Sequence, residues 1–170
     1  MAIIRFVKEK DYDELYELSL YLHNYCAKIN PDLFRKKKAF SKKDKPKFGN
    51  CFVIEHNKKV IGFFEGYVLG SWPKNGKPCD YRYIVDTFVI SEEYQNRKYG
   101  KKLFQFIEEL ACKKGCEKII LKTLNDERML NFYNKMGMDI SYLNLCKKIK
   151  PFDEEKRQSM RDIIKEKKKI

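Results

Sequence analysis

The stretch that decides the fold begins Ile84-Val85-Asp86-Thr87-Phe88-Val89-Ile90 and continues, after a short polar connection, into Gly100-Lys101-Lys102-Leu103-Phe104-Gln105-Phe106-Ile107-Glu108-Glu109-Leu110-Ala111. The first run is rich in β-branched and aromatic side chains, which favour the pleated geometry of a buried strand. In the second, Leu103, Phe104, Ile107, Leu110 and Ala111 recur at the three- and four-residue spacing of one helical face. A strand that turns directly into an amphipathic helix aims the helix's first free N–H groups at whatever lies beyond the strand's C-terminal end, and that arrangement receives anions. Arg97, Lys98, Lys101 and Lys102 add positive charge to the same turn, where the helix dipole alone would favour negative side chains. The excess predicts a polyanionic ligand.

The connection Gln95-Asn96-Arg97-Lys98-Tyr99-Gly100 resembles the acyl-CoA loop of the Gcn5-related N-acetyltransferases (GNAT), Q/R-x-x-G-x-G/A between a strand and a helix. Lys98 stands where the first glycine belongs. If the loop needs positive φ there, the lysine carries roughly 1 kcal/mol of strain; if φ stays negative, the amides can still face a diphosphate. A second segment strengthens the likeness. After the apolar run Lys118-Ile119-Ile120-Leu121-Lys122-Thr123, the residues Asn125-Asp126-Glu127-Arg128-Met129-Leu130-Asn131-Phe132-Tyr133-Asn134-Lys135-Met136-Gly137-Met138 resemble the family's second signature. In that signature an asparagine opens a short helix that ends in an apolar-Tyr pair and an apolar-Gly-aromatic step. Asp126 takes the asparagine's place, with Asn125 just before it, and Met138 replaces the usual phenylalanine. Asn125 or Asp126 also suits a helix N-cap, and Gly137 a C-terminal cap.

The resemblance implies an α+β domain layered α/β/α, with a mixed, mostly antiparallel sheet in which the strand holding residues 86–90 and the strand 118–123 splay apart. It implies acetyl-CoA as co-substrate, cradled by Gln95, Asn96, Arg97, Lys98, Tyr99, Gly100 and Lys101, with backbone groups of Phe88, Val89 and Ile90 presented to the pantetheine and Asn125 and Asp126 nearby. Tyr133 aligns with the family's usual acid and would donate a proton or hydrogen bond to the departing thiolate. It also reads as a half-buried helix tyrosine with no chemical role. For the base, Asp86 precedes Phe88 by two residues, and strand alternation places both on one face. Partial burial would have to make its carboxylate a stronger base for it to work near neutral pH. Pairing with Arg82 is the alternative, and Glu65 is the next candidate.

Outward from this centre, Ile3-Ile4-Arg5-Phe6-Val7 reads as a first strand. Asp11 then precedes a helix carrying Tyr12, Leu15, Tyr16, Leu18, Leu20 and Leu22. Residues 51–55 and 60–69 flank the turn His56-Asn57-Lys58-Lys59 and predict an antiparallel hairpin. Between helix and hairpin, residues 30–49 interleave lysines with Leu33, Phe34, Ala39, Phe40 and Phe48. A short helix is expected after Pro31, ending before Pro46, on a basic face that is either solvated or open to an acidic partner. Residues 70–80 predict a loop whose Trp72 either lines the acceptor pocket or packs on its own turn. Residues 139–149 supply a last strand region. After the break at Pro151, residues 152–170 read as a lysine-rich accessory helix and tail, giving a domain of residues 1–150 followed by 151–170.

At 170 residues and 43% apolar, the chain holds one sizeable core. No run approaches the roughly 18 apolar residues of a membrane span, and the start lacks a signal-peptide layout, so a cytoplasmic protein is expected. Six cysteines without a C-x-x-C pair and only two histidines argue against a structural metal site. The resemblance implies a primary-amine acceptor, small or protein-borne, and a homodimer is compatible with the sequence. The net charge of +13 supports a different reading, a basic RNA- or ribosome-binding module on a GNAT scaffold that no longer catalyses. A degenerate scaffold kept for protein contacts is a third.

Overall fold

The structure is a computed structural model, and it describes residues 2–38, 50–70 and 81–141. The elements run in the order β1 (Ala2–Phe6), α1 (Tyr12–Ile29), β2 (Cys51–His56), β3 (Lys59–Gly70), β4 (Tyr81–Ile90), α2 (Tyr99–Lys113), β5 (Lys118–Leu121) and α3 (Glu127–Lys135). The five strands lie side by side in chain order; every pairing is antiparallel except β4 with β5, which are parallel and joined through α2. One compact unit spans Met1–Asp139.

Both faces of the sheet are covered, as its alternating apolar side chains require. Leu15 and Leu18 of α1 pack on Val53, Val60, Phe63 and Val89 on one side. Leu103, Phe104, Ile107 and Ala111 of α2 pack on Ile54, Ile61, Phe64, Tyr83, Val85 and Ile90 on the other, joined by Phe132 and Tyr133 of α3 and by Met136 just beyond it. This is the layered α+β architecture expected from the sequence. The β2–β3 hairpin turns through Asn57 and Lys58 with φ of 51° and 65°, the paired left-handed conformation that matches strand twist in a two-residue turn.

Helices α2 and α3 end alike. Gly115 and Gly137 adopt φ of 70° and 77°. Beyond them Cys116 N–H reaches Ala111 O at 3.0 Å, and Met138 N–H reaches Tyr133 O at 3.1 Å. These are Schellman closures, and Gly137 is the cap the sequence suggested.

Three local expectations are corrected. Within the described residues no helix follows Pro31; residues 31–33 turn and residues 34–37 have no regular structure. The Asn24 side chain accepts from Lys37 N–H at 2.8 Å and donates to Lys37 O at 2.9 Å, which gives that backbone a partner outside any helix. Strand β5 stops at Leu121 rather than residue 123.

The third correction concerns Asp86. Glu65 pairs with Thr87 and Gly66 with Val85, so Asp86 is the extra residue of a β-bulge. Alternation does not pass through a bulge: Val85 and Ile90, five apart, share one core cluster. The inference that Asp86 shares a face with Phe88 because it lies two residues away therefore fails. Asp86 is also exposed, without the partial burial expected of it, and among the described residues it makes no ion pair with Arg82. The expectations for residues 39–49, for the 71–80 loop with Trp72, for residues 142–149 and for the 151–170 helix lie outside the described residues.

Candidate functional site

The sheet opens where the parallel β4–β5 pair ends. Pairing between β4 and β5 stops at Val85 with Leu121, while among the described residues β4 continues to Ile90 against β3 alone. Ser91 N–H donates to Ile61 O at 2.8 Å, and Phe63 faces Val89 in the same register. Narrow hydrogen-bonded pairs alternate with wide ones, so Phe88 and Ile90 turn their backbone groups away from β3, toward the gap that β5 leaves.

Past the end of β4 the chain makes a short 3-10 turn, Glu92–Tyr94, and then the basic loop. Asn96 and Lys98 both take positive φ, 60° and 65°. The loop thus keeps the glycine-like conformation at residue 98 and bears its strain. Lys98 is the N-cap of α2, yet its side chain makes no capping hydrogen bond and the first turn carries no acidic residue. The opening N–H groups of α2 and its dipole are left facing outward from a positively charged turn. Gly100 lets α3 approach closely, since a Cβ there would stand 3.2 Å from the Phe132 ring.

A cleft of about 890 Å³ lies at this opening. Of the residues singled out from the sequence, Phe88, Val89, Ile90, Gln95, Asn96, Lys98, Gly100, Lys101 and Tyr133 line it. Tyr133 is half-buried among Phe88, Phe104 and Phe132, with ring centroids 6.5, 6.3 and 5.2 Å away. Burial pushes its hydroxyl up to about 12, so it holds its proton across the neutral range. Its own carbonyl is the acceptor of the Gly137 closure, which fixes the end of the helix that presents it.

Other candidates fall elsewhere. Arg97 lies over the Tyr94 ring at 5.7 Å, and Tyr99 packs against Tyr94 and His56. Lys102 donates to Ala2 O, so its charge is drawn toward β1. Asp126 is the N-cap of α3: its carboxylate accepts from Met129 N–H at 3.1 Å and from the Tyr25 hydroxyl at 3.2 Å. Asn125 is exposed beside it. Asp126, Asn125 and Asp86 are not among the side chains that line the cleft.

Sequence reasoning missed the wall that α1 contributes. Tyr21 and Tyr25, four apart on one face of that helix, reach the cleft from the opposite side of the sheet. Gln95 is the hub. Its Nε2 donates to Ile90 O at 2.9 Å and to the Tyr21 hydroxyl at 3.1 Å, and its Oε1 accepts from Arg128 Nη1 at 3.1 Å. The Ile90 carbonyl, expected to be free, is therefore taken, while the N–H of the same residue still faces the gap. A cation in the first turn of α3, where the dipole disfavours it, was the available signal for Arg128.

Among curated proteins, none matches the sequence significantly. Solved structures resemble the chain in fold. The tetramutant of the BH1408 protein from Bacillus halodurans superposes with a TM-score of 0.77 at 17% identity, over 86% of this chain and 99% of that one. An aminoglycoside acetyltransferase, meta-AAC0020, from an uncultured soil metagenomic sample gives 0.61 at 16%, over 88% and 97%. Glucosamine-6-phosphate N-acetyltransferase from Arabidopsis thaliana gives 0.56 at 17%, over 88% and 99%. At these identities the likeness is one of fold. The sequence itself is matched by the model of the acetyltransferase (GNAT) family over residues 8–138, and the chain belongs to that family.

Proposed function

We propose that the protein transfers an acetyl group from acetyl-CoA to a primary amine by direct attack of the amine. Residues 1–150 would form the acyl-CoA-binding domain, and residues 151–170 an accessory helix with a basic tail. One observation carries the reading: β4 outruns β5, and the cleft at their parting is lined by both the basic loop and Tyr133. The residues suit the group. An elongated carrier with a charged diphosphate and a chain of amides needs an anion-binding helix start beside an open strand edge, and both border this cleft.

When bound, acetyl-CoA supplies an acyl group activated as a thioester. Lys98 and Lys101, with the opening amides of α2, hold the diphosphate. The N–H groups of Phe88 and Ile90 pair with the pantetheine, and one of them polarises the thioester carbonyl. Tyr133 keeps a proton on its hydroxyl and donates it, or a hydrogen bond, to the departing sulfur. Asp86, in the bulge where the two strands part, is the carboxylate we assign to amine deprotonation. Exposed and outside the cleft lining, it would reach the amine only through bridging water.

The reading is tested by incubating the protein with acetyl-CoA and a panel of amines while following free CoA thiol. Amine-dependent release above the hydrolytic background is expected. No release with any amine, together with no calorimetric heat from acetyl-CoA, would overturn it.

A further inference from the structure

Arg128 is held in place without being neutralised. Its guanidinium donates to the Gln95 amide oxygen at 3.1 Å and lies 4.7 Å from the centroid of the Tyr25 ring. Both partners are uncharged, and among the described residues no carboxylate pairs with it within 4.0 Å. The nearby carboxylate of Asp126 is engaged by the α3 amide of Met129 and by the Tyr25 hydroxyl. Gln95 cannot turn away easily, since its amino group is committed to Ile90 O and Tyr21.

The result is an arginine on the first turn of α3, exposed and lining the cleft, adding its charge to the positive end of the helix. A guanidinium fixed by neutral contacts keeps donors for a ligand. It is an unfavourable place for a cation unless an anion arrives there.

We infer that Arg128 is a second anion receptor in the cleft, separate from the Lys98 and Lys101 loop, and that it binds a phosphate monoester or carboxylate on one of the two reactants. Resting on the acyl-CoA reading above, this gives two sources for the anion. One is the ribose phosphate of the carrier, a separate dianion on the molecule whose diphosphate the loop holds. The other is an acid group on the acceptor amine. Among the described residues, the lining cations Lys98, Lys101, Arg128 and Lys135 outnumber the lining carboxylate Glu127, so an acceptor of several positive charges is disfavoured in either case.

The test uses Arg128→Gln, whose amide can still donate to Gln95 while the charge is removed, and Arg128→Lys, which restores the charge. CoA and dephospho-CoA, which lacks the ribose phosphate, are titrated into all three proteins at two salt concentrations. If the carrier is the source, the parent binds CoA about tenfold more tightly than dephospho-CoA. Arg128→Gln then binds both at the weaker affinity with a smaller salt dependence, and Arg128→Lys recovers part of the difference. If the acceptor is the source, all three proteins treat the two carriers alike. Arg128→Gln then raises KM about tenfold for amines bearing an acid group, leaves kcat in place, and leaves KM for neutral amines of the same skeleton unchanged. Indifference to position 128 in both arms overturns the inference, as does a uniform loss toward every ligand that Arg128→Lys does not repair. Absence of heat with CoA in the parent is a separate failure: it removes the carrier reading and this inference with it.

Discussion

At the scale of single residues, two side chains in the cleft sit where physical chemistry makes opposite demands. Tyr133 keeps its hydroxyl proton at working pH, and burial, which pushes that hydroxyl up to about 12, only strengthens its hold. Tyr133→Phe should lower kcat by about a hundredfold and leave acetyl-CoA affinity nearly unchanged, because only the bond to the departing sulfur is lost. Equal turnover in stopped assays would remove the residue from the mechanism. The same hydroxyl links to stability with a definite sign. Folding raises its pKa from 10.0 to about 12, so its contribution is complete below 10.0 and is lost as pH rises toward 12. The phenylalanine variant should show a shallower alkaline fall in Tm. Lys98 presents the contrary case, with φ of 65° in a side chain that disfavours it. Lys98→Gly should relieve about 1 kcal/mol and raise Tm by about 2–4 °C. It should also weaken CoA binding a few-fold through the lost charge. A variant that melts lower than the parent would mean the lysine makes contacts that outweigh the strain.

At the scale of elements, the legible features were those with strong periodicity. The α2 face, the β2–β3 hairpin and the Gly137 closure could each be read because one local rule governs it. Asp86 could not, because a bulge has no sequence signature of its own and shows only when two strands are laid in register. The α1 wall escaped for a similar reason: Tyr21 and Tyr25 look like core residues until the sheet parts beneath them. The network that locks β1 to the start of α1 was equally hidden. Arg5 forms a bidentate pair with buried Asp11 at 2.7 and 2.8 Å and reaches Glu55 of β2 at 2.6 Å. The hydrogen bond from Arg5 outweighs desolvation and, aided by the Lys8 amide, holds the Asp11 carboxyl below its ordinary 3.8. A lowered carboxyl contributes stability above that ordinary value and loses it as pH falls through the folded value. Asp11→Asn should therefore cost about 3 kcal/mol at neutral pH, and the gap between parent and variant should narrow below about pH 4. Urea unfolding at pH 7 and pH 3 measures both terms, and a gap that does not change with pH would show that the charge on Asp11 is not what stabilises the fold.

At the scale of the whole molecule, the net charge of +13 allows two readings that only salt separates. Any strongly basic surface attracts a polyanion, and that attraction decays as counterions compete. Contacts inside a cleft, made by oriented amides and a positioned tyrosine, are screened far less. A nucleic-acid module predicts that RNA protects the fold and that protection vanishes with salt, with acetyl-CoA inert throughout. The acyltransferase reading predicts the reverse ordering. Acetyl-CoA at about a hundred times its dissociation constant should stabilise the protein by about 2.7 kcal/mol. For a chain of this size that is a Tm increase of about 5–10 °C. Raising salt from about 0.05 to 0.5 M should shrink this increase without abolishing it, since pantetheine contacts along β4 carry no charge, whereas retention on immobilised RNA should disappear over the same range. The discriminating result is the pair of curves measured on one preparation: acetyl-CoA stabilisation that collapses with the same salt dependence as RNA retention would mean the cleft acts as a generic basic surface, and the open strand edge would lose its claim to a bound thioester.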